Sequence, residues 1–300
     1  MGLLEGKVAV VTGAGRGIGR GEALELSRQG AAVVINELDG DAGQAVVDEV
    51  RKSGGTALLH TADCSEMAGA ASLIQLAVDE LGGLDALVNN AGIIRDRTLV
   101  KMTEEEWDSV IKVHLKGHFA PTHYACSWWK DNGRTGHVVC TSSASGLLGN
   151  FGQSNYGAAK AGIAAFANIV AFEMARYGVT CNAIAPAART RMTESAYGDA
   201  LAGAAENEFD FWHPDNIAPM VAYLCSDASS HISGKVFEVQ GNVVELMQPW
   251  LSYSEIVHEG GRWDPEVLAE RVDELFEGFP LDKGAVNGMA RLRYTMTERT

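Results

Sequence analysis

Hydrophobic and polar residues follow two patterns along this chain. Short runs rich in β-branched residues alternate with longer segments whose apolar residues recur at helical spacing. The short runs predict strands at Lys7–Thr12, Ala31–Glu37, Ala57–Thr61, Ala86–Asn89, His137–Thr141, Val179–Ile184 and Val236–Gln240. The longer segments predict helices at Ile18–Gln29, Gly43–Lys52, Met67–Leu81, Glu104–Lys130, Ser154–Tyr177 and Asn216–Ser226. Such alternation is typical of an α/β fold, a doubly wound parallel sheet with helices on both faces.

The end of the chain shows a different pattern, one amphipathic helix within Arg262–Phe279. Asp264 is its expected N-cap, because Pro265 follows at the first helical position. A segment this short cannot bury a core of its own. We therefore expect one main domain over residues 1–245, with residues 246–300 as a C-terminal extension packed on the same domain or on a neighbouring subunit.

Composition and charge narrow the classes of partner. The chain has 24 basic and 39 acidic residues, for a net charge of −15, and this acidity argues against nucleic acid as a ligand. No apolar run reaches the roughly 18 residues of a membrane span, and no segment resembles a signal peptide. The 5 cysteines are widely separated and form no Cys-x-x-Cys, which predicts buried thiols, a reducing cytoplasm and no metal site.

A glycine-rich segment directly follows the first predicted strand and opens the first predicted helix. Its glycines would let the backbone approach a pyrophosphate, and the free N–H groups of a helix N-terminus attract such an anion. Strand, turn and helix in this order predict a dinucleotide site on a Rossmann-type sheet. The residues of the turn expected at the cofactor are Gly13, Arg16, Gly17, Ile18 and Gly19.

The choice between NAD and NADP depends on two charged residues. Glu37 ends the second predicted strand, where an acidic group would accept hydrogen bonds from ribose hydroxyls and repel a 2′-phosphate. Arg16 has the opposite effect, because a cation in the glycine turn could pair with that phosphate. The position of Glu37 favours NAD, although either residue could instead be a solvated surface charge.

Tyr156 and Lys160 lie one helical turn apart, which puts the phenol and the ammonium on one face of a predicted helix. A nearby ammonium stabilises the phenolate and brings a tyrosine toward the range of general acid–base catalysis. Ser143 lies upstream and could donate a hydrogen bond to a developing alkoxide. Tyrosine–lysine pairs occur by chance on many helices, so the weight of this set depends on the other motifs.

Taken together, these motifs resemble the short-chain dehydrogenase/reductase family from about Leu4 to about Gly241. The resemblance implies reversible hydride transfer between NAD(H) and a secondary alcohol or ketone, with Tyr156 exchanging the hydroxyl proton. The shared motifs are Thr12–Gly19, Asp63, Asn89-Asn90-Ala91-Gly92, Ser143, Tyr156 with Lys160, and Asn182-Ala183-Ile184-Ala185-Pro186.

The same resemblance implies roles for the cofactor-binding residues. Adenine would be held by Asp63 and the Cys64 backbone, and Lys160 would bind the nicotinamide ribose as well as tune Tyr156. Thr190 would reach the carboxamide. The riboses would be lined by Asn90, Ala91 and Gly92.

One position departs from the family pattern. The family usually has an asparagine in the helix after Asn-Asn-Ala-Gly, where it holds a proton-relay water, whereas this chain has His114. An imidazole could hold that water and titrates near neutral pH, but a buried structural histidine is an equal alternative. His118 follows at metal-ligand spacing without an apparent third ligand, so no metal is expected.

A narrower resemblance, carried by Val113–Gly117, Ile184–Thr193 and Phe237–Val239, is to the dehydrogenase part of multifunctional enzyme type 2 and its free-standing bacterial relatives. It implies a small-molecule substrate, a (3R)-hydroxyacyl-CoA or a hydroxysteroid, and a homodimer or homotetramer. The alternatives are an NADPH-dependent ketoreductase and a dinucleotide-binding scaffold without catalysis. Candidate cations for coenzyme A phosphates are Arg189, Arg191, Lys283, Arg291 and Arg293, although a solvated surface charge is the more common role for each of them.

Overall fold

The computed structural model describes residues 2–192, 203, 208–248 and 250–278. Within these residues one 8-stranded sheet has the order β3-β2-β1-β4-β5-β6-β7-β8. All neighbours pair in parallel except β7 and β8, which are antiparallel. The strands are β1 Val8–Thr12, β2 Ala32–Asn36, β3 Ala57–His60, β4 Ala86–Asn89, β5 Gly136–Thr141, β6 Val179–Ala187, β7 Val236–Gln240 and β8 Val243–Leu246.

Helices cover both faces of the sheet. Because side chains alternate along a strand, Val11 of β1 faces one apolar cluster with Leu26, and Val10 faces the opposite cluster with Ile163. The predicted doubly wound α/β fold is thus confirmed. The helices are α1 Gly17–Arg28, α2 Gly40–Lys52, α3 Met67–Leu81, α4 Glu104–Ile111, α5 Gly117–Asp131, α6 Ala144–Leu148, α7 Ser154–Met174, α8 Ala218–Leu224 and α9 Pro265–Arg271.

Three elements differ from the sequence prediction, and one of them is the short helix α6, which the apolar pattern did not predict. The helix expected over Glu104–Lys130 is interrupted by a π-helical turn, Lys112–Lys116, which separates α4 from α5. Strand β8 was not predicted; it follows β7 through the two-residue turn Gly241-Asn242, in which Gly241 has a φ of 53°. A left-handed residue of this kind is what a tight hairpin requires.

The helical segment Ser154–Tyr177 is long and apolar enough to cross a membrane by length and composition alone. The face of α7 that carries Ile163, Ala167 and Val170 packs against the sheet. A helix with one apolar face in the protein core passes the same length and composition test.

The chain divides into two compact units after Met247. In the second unit Asp264 caps α9, accepting a hydrogen bond from the Glu266 amide at 3.0 Å, as the Asp-Pro-Glu sequence predicts. The Tyr253 hydroxyl in the same unit donates to the Gly278 carbonyl at 2.5 Å.

Candidate active site

The candidate residues follow the carboxyl ends of successive strands. In a parallel sheet these ends share one edge, where open α/β proteins bind their ligands. The residues so placed are Gly13 after β1, Glu37 after β2, Asp63 after β3, Asn90 after β4, Ser143 after β5 and Thr190 after β6.

The turn between β1 and α1 has a close-packed glycine backbone. Gly13 and Gly17 have φ angles of 63° and 54°, which favour glycine. A Cβ on Gly13 would lie 2.7 Å from Ala91 Cα, and one on Gly19 would lie 2.3 Å from the Gly13 carbonyl oxygen. No side chain within the described residues caps the N-terminus of α1. Its N–H groups therefore suit an anion such as a pyrophosphate.

The loop after β4 is held against this turn. Asn90 donates through Nδ2 to the carbonyl oxygens of Thr12 and Gly13, at 3.1 Å each. Thr12 Oγ1 accepts from the amides of Asn90 and Ala91 at 3.0 and 3.1 Å. The Asn90 side chain thus fixes the glycine turn. Thr190 reaches the same place, because a Cβ on Gly17 would lie 3.4 Å from Thr190 Cγ2.

Glu37 and Arg16 are both tied into the nucleotide turn. Glu37 accepts hydrogen bonds from the amides of Gly15 at 3.1 Å and Asp39 at 3.2 Å. The Arg16 guanidinium forms an ion pair with the Asp39 carboxylate. That contact raises the pKa of Arg16 and lowers the pKa of Asp39, so both remain charged. The positive charge of Arg16 is therefore compensated by a carboxylate.

Asp63 and Cys64 follow β3. The Asp63 carboxylate accepts hydrogen bonds from the Ser65 amide at 2.9 Å and hydroxyl at 2.6 Å, and its other oxygen lies 3.5 Å from Lys112 Nζ. Burial raises the pKa of the Cys64 thiol to about 12, so this cysteine is neutral. The side chain of Asp63 thus shapes its own turn.

Lys160 is the most deeply buried cation of the site, with 2% of its surface exposed. Its Nζ donates to the Thr141 carbonyl at 2.6 Å and lies 5.5 Å from the centroid of the Tyr156 ring. Burial lowers the pKa of Lys160 to about 7, and the electrostatic interaction with Cys140 and Glu22 opposes this shift. A small change in nearby charge can therefore switch its protonation near neutral pH.

Ser143 begins the short helix α6 as its N-cap, and its hydroxyl accepts a hydrogen bond from the Ser145 amide at 3.2 Å. Helix α6 packs tightly on α7: a Cβ on Gly146 would lie 2.5 Å from the Ala161 amide nitrogen and 2.6 Å from the Lys160 carbonyl carbon. This packing brings the segment that starts at Ser143 against the turn of α7 that carries Tyr156 and Lys160.

His114 lies in the π-helical turn, and its ring meets the Tyr156 ring edge-on, with centroids 5.1 Å apart. Its Nε2 lies 2.7 Å from the Ile93 carbonyl oxygen. The same nitrogen lies 3.0 Å from the Ile93 amide, which donates to it when Nε2 carries no proton. Nδ1 is buried without a partner among the described residues, and it accepts or donates a hydrogen bond according to the tautomer. Burial and the charge of Lys160 hold the pKa of His114 well below its ordinary value, so the ring is neutral.

His118 lies between the backbone of His114 and the backbone of Thr141, the residue whose carbonyl accepts a hydrogen bond from Lys160. Its Nδ1 donates to the His114 carbonyl at 2.7 Å, and its Nε2 accepts from the Thr141 amide at 3.2 Å. Burial and the charge of Lys160 lower the pKa of His118 to about 3. Both nitrogens of His118 are thus used by the backbone, and the described residues contain no group of three potential metal ligands.

Two further residues support the site and were not found from the sequence. Asn155 is fully buried and accepts from the Tyr156 amide at 2.7 Å, while its Nδ2 donates to the carbonyls of Arg95 at 3.0 Å and Glu106 at 2.9 Å. Glu22 of α1 is also fully buried, and both its carboxyl oxygens have no partner among the described residues. Burial raises the pKa of Glu22 to about 8, opposed by Lys160.

The chain matches the short chain dehydrogenase family over residues 7–200. It is 43% identical over 288 residues to hydroxyacyl-CoA dehydrogenase ChsB1 of Mycobacterium tuberculosis, covering 92% of this chain and 90% of that protein. Peroxisomal multifunctional enzyme type 2 of Drosophila melanogaster is 43% identical over 266 residues, which are 86% of this chain and 41% of that protein. The crystal structure of a short chain dehydrogenase from Mycobacterium avium has a TM-score of 0.83 at 43% identity, covering 92% of this chain and 96% of that one.

The chain therefore belongs to the short-chain dehydrogenase family and is an NAD(P)-dependent oxidoreductase that acts on CH–OH groups. Within that family it is similar to the dehydrogenase part of multifunctional enzyme type 2 and to a free-standing bacterial hydroxyacyl-CoA dehydrogenase, as its motifs predicted.

Proposed function

We propose that this protein is an NAD-dependent dehydrogenase that interconverts the 3-hydroxyl and 3-keto groups of an acyl-CoA thioester. The observation that carries this proposal is the buried Lys160, bonded to Thr141 and 5.5 Å from the centre of the Tyr156 ring, beside the glycine turn. The similarity to a hydroxyacyl-CoA dehydrogenase over 92% of the chain supports the substrate class.

In this proposal each residue of the site has a separate task. Bound nicotinamide supplies the hydride acceptor or donor. Tyr156 takes the hydroxyl proton of the substrate during oxidation and returns it during reduction. Ser143 donates a hydrogen bond to the substrate oxygen, and the Lys160 ammonium stabilises the phenolate.

The preference for NAD over NADP is supported by Glu37 and Arg16. Glu37 places a carboxylate after β2, where it would repel a 2′-phosphate. Arg16, the residue that could have favoured NADP, has its charge paired with Asp39. This arrangement therefore suits the free ribose hydroxyls of NAD better than the 2′-phosphate of NADP.

We assign the relay water to Nδ1 of His114. Nδ1 of a neutral imidazole accepts or donates one hydrogen bond according to the tautomer, and a water molecule can be its partner in either case. The π-helical turn supports this role, because such turns are frequent at functional sites.

We also propose a homodimer or homotetramer in the cytoplasm. Ile169 and Phe172 lie one turn apart on α7 and expose 55% and 80% of their surface. Phe119 on α5, which covers the same face of the sheet, is also exposed. All 5 cysteines are free thiols, which fits a reducing compartment.

Initial rates with NAD and with NADP test the proposal, using (3R)-3-hydroxyacyl-CoA thioesters of several chain lengths. We expect turnover with NAD, and in Tyr156→Phe a loss of turnover by about 10²–10⁴-fold with an unchanged affinity for the cofactor. Tyr124→Phe, in the neighbouring helix α5, is the matched control. Near-normal turnover by Tyr156→Phe would refute the mechanism, and a preference for NADP would refute the cofactor assignment.

A further inference from the structure

The segment after β4 carries three consecutive charged residues, which differ in their partners. Arg97 pairs with Glu106 at 2.9 Å, and Asp96 accepts a hydrogen bond from Gln153 at 2.8 Å. The guanidinium of Arg95 is exposed, and its hydrogen bond within the described residues is to the neighbouring Ile94 carbonyl at 2.8 Å. Of the two cations, Arg97 is ion-paired and Arg95 has no ion pair in the described part of the chain, while the hydrogen-bond partner of Asp96 is the neutral amide of Gln153.

The backbone around Arg95 is fixed relative to Tyr156. Asn155, the residue before Tyr156, donates to the Arg95 carbonyl at 3.0 Å and accepts from the Tyr156 amide at 2.7 Å. Two residues earlier, the Ile93 carbonyl contacts His114 at 2.7 Å. Arg95 is therefore held beside the start of the catalytic helix, while its flexible side chain reaches outward.

An apolar surface adjoins this cation. The Arg97 amide donates to the Gly152 carbonyl at 2.8 Å, which joins the segment after β4 to the segment before α7. Phe151 exposes 88% of its surface there, and Leu99 and Val100 on the other segment expose 70% and 91%. A cation beside exposed apolar side chains suits a ligand with an apolar arm and an anionic end.

We propose that Arg95 binds a phosphate of the coenzyme A part of the substrate. The chain that joins this phosphate to the thioester would lie over Phe151 and Leu99. This assignment rests on the proposed function. Arginine suits this task because its fork of N–H donors matches a phosphate. The net charge of the chain is −15, so the protein as a whole does not attract a phosphate. A phosphate therefore needs a local cation such as Arg95.

The structure also accounts for the cations that the sequence suggested. Arg189 forms an ion pair with Asp210, so its charge is compensated. Arg191 is exposed, and Lys283, Arg291 and Arg293 lie outside the described residues. Arg95 is the candidate whose position relative to Tyr156 is defined by hydrogen bonds.

Kinetics of Arg95→Gln on two substrates test the proposal: a 3-hydroxyacyl-CoA and the matching N-acetylcysteamine thioester, which has the acyl group but no phosphates. We expect the KM of the coenzyme A substrate to rise about tenfold, as for the loss of one charge-assisted hydrogen bond. The kcat on both substrates and the KM of the short thioester should stay within about twofold of the wild type, and Arg95→Lys should restore part of the affinity.

Arg97→Gln is the matched control, because it removes a cation from the same segment whose charge is already paired with Glu106. Equal losses on both substrates, or no loss on either, would overturn the role of Arg95. A dephospho-coenzyme A thioester distinguishes the 3′-phosphate from the diphosphate: an unchanged effect of the substitution assigns Arg95 to the diphosphate. Absence of wild-type turnover on both thioesters would instead refute the proposed function.

Discussion

At the scale of single residues, the site depends on ionisable groups that the fold removes from water. Lys160 has its pKa lowered to about 7 by burial, and Glu22 has its pKa raised to about 8 by burial. The sequence predicted Lys160, because its spacing from Tyr156 has a chemical meaning. It did not predict Glu22, since a glutamate on an amphipathic helix normally faces solvent. The burial of Glu22 comes from helix packing that no local pattern encodes.

Glu22→Gln should make the protein more stable at alkaline pH. Folding raises the pKa of Glu22, so the folded state keeps a proton that the unfolded state loses above about pH 4.5. Stability associated with this group is present below pH 4.5 and is lost as pH rises toward 8. Glutamine cannot ionise, so the variant should gain about 2–5 kcal/mol over the wild type at pH 9, and much less at pH 5.

Urea unfolding of both proteins at pH 5, 7 and 9 measures this difference. Glu25→Gln is the control, because it removes an ion-paired carboxylate from the same helix, bonded to Arg28 at 2.6 Å. The control should show no gain at high pH. A wild type–variant difference that is independent of pH would mean that Glu22 is already ionised in the folded protein.

At the scale of elements, the sequence predicted the strands and helices whose apolar residues recur at a regular spacing. Strands β1 to β7 and helices α1 and α3 lie where their patterns place them, within a few residues. Strand β8 was not predicted because its apolar residues lie on the exposed side and its polar residue on the covered side. Val244 and Leu246 are exposed, while Glu245 is half-buried opposite Glu238. The π-helical turn was missed because apolar spacing hardly distinguishes a π turn from an α turn.

Packing between α6 and α7 determines how Ser143 meets Tyr156 and Lys160. We predict that Gly146→Ala lowers kcat/KM by roughly 10²-fold, since the added Cβ would lie 2.5 Å from the Ala161 amide nitrogen. Backbone atoms cannot move aside as a side chain can, so α6 and with it Ser143 should shift. Cofactor affinity, measured by titration of protein fluorescence, should remain close to that of the wild type.

The control for this variant is Gly162→Ala on the partner helix. Its Cβ would meet only the flexible Leu115 side chain, at 3.3 Å. We expect activity within about threefold of the wild type, and a small gain in stability from better helix propensity. Equal activity of the two variants would show that the α6–α7 contact does not position Ser143.

At the scale of the whole molecule, strand order and chemistry are linked. The sheet order brings the ends of strands that are distant in sequence to one edge, so the glycine turn after β1 lies beside the loop after β4. The motifs predicted this edge because each one follows a strand. They could not predict the contact of Asn155 with Arg95, which joins residues 60 positions apart through one side-chain amide.

The exposed apolar side chains of α7 give the last prediction, on assembly. Phe172 exposes 80% of its surface and lies one turn from Ile169, a combination that is costly in a free monomer and typical of a subunit contact. Phe172→Glu should therefore reduce the molar mass in solution, measured by light scattering, from a dimer or tetramer to a smaller species, because a buried carboxylate without a partner is strongly unfavourable. Phe151→Glu changes an equally exposed aromatic outside these helices and should leave the mass unchanged. A monomeric wild type would refute the proposed assembly, and an oligomeric wild type with a Phe172→Glu variant of unchanged mass would place the subunit contact elsewhere.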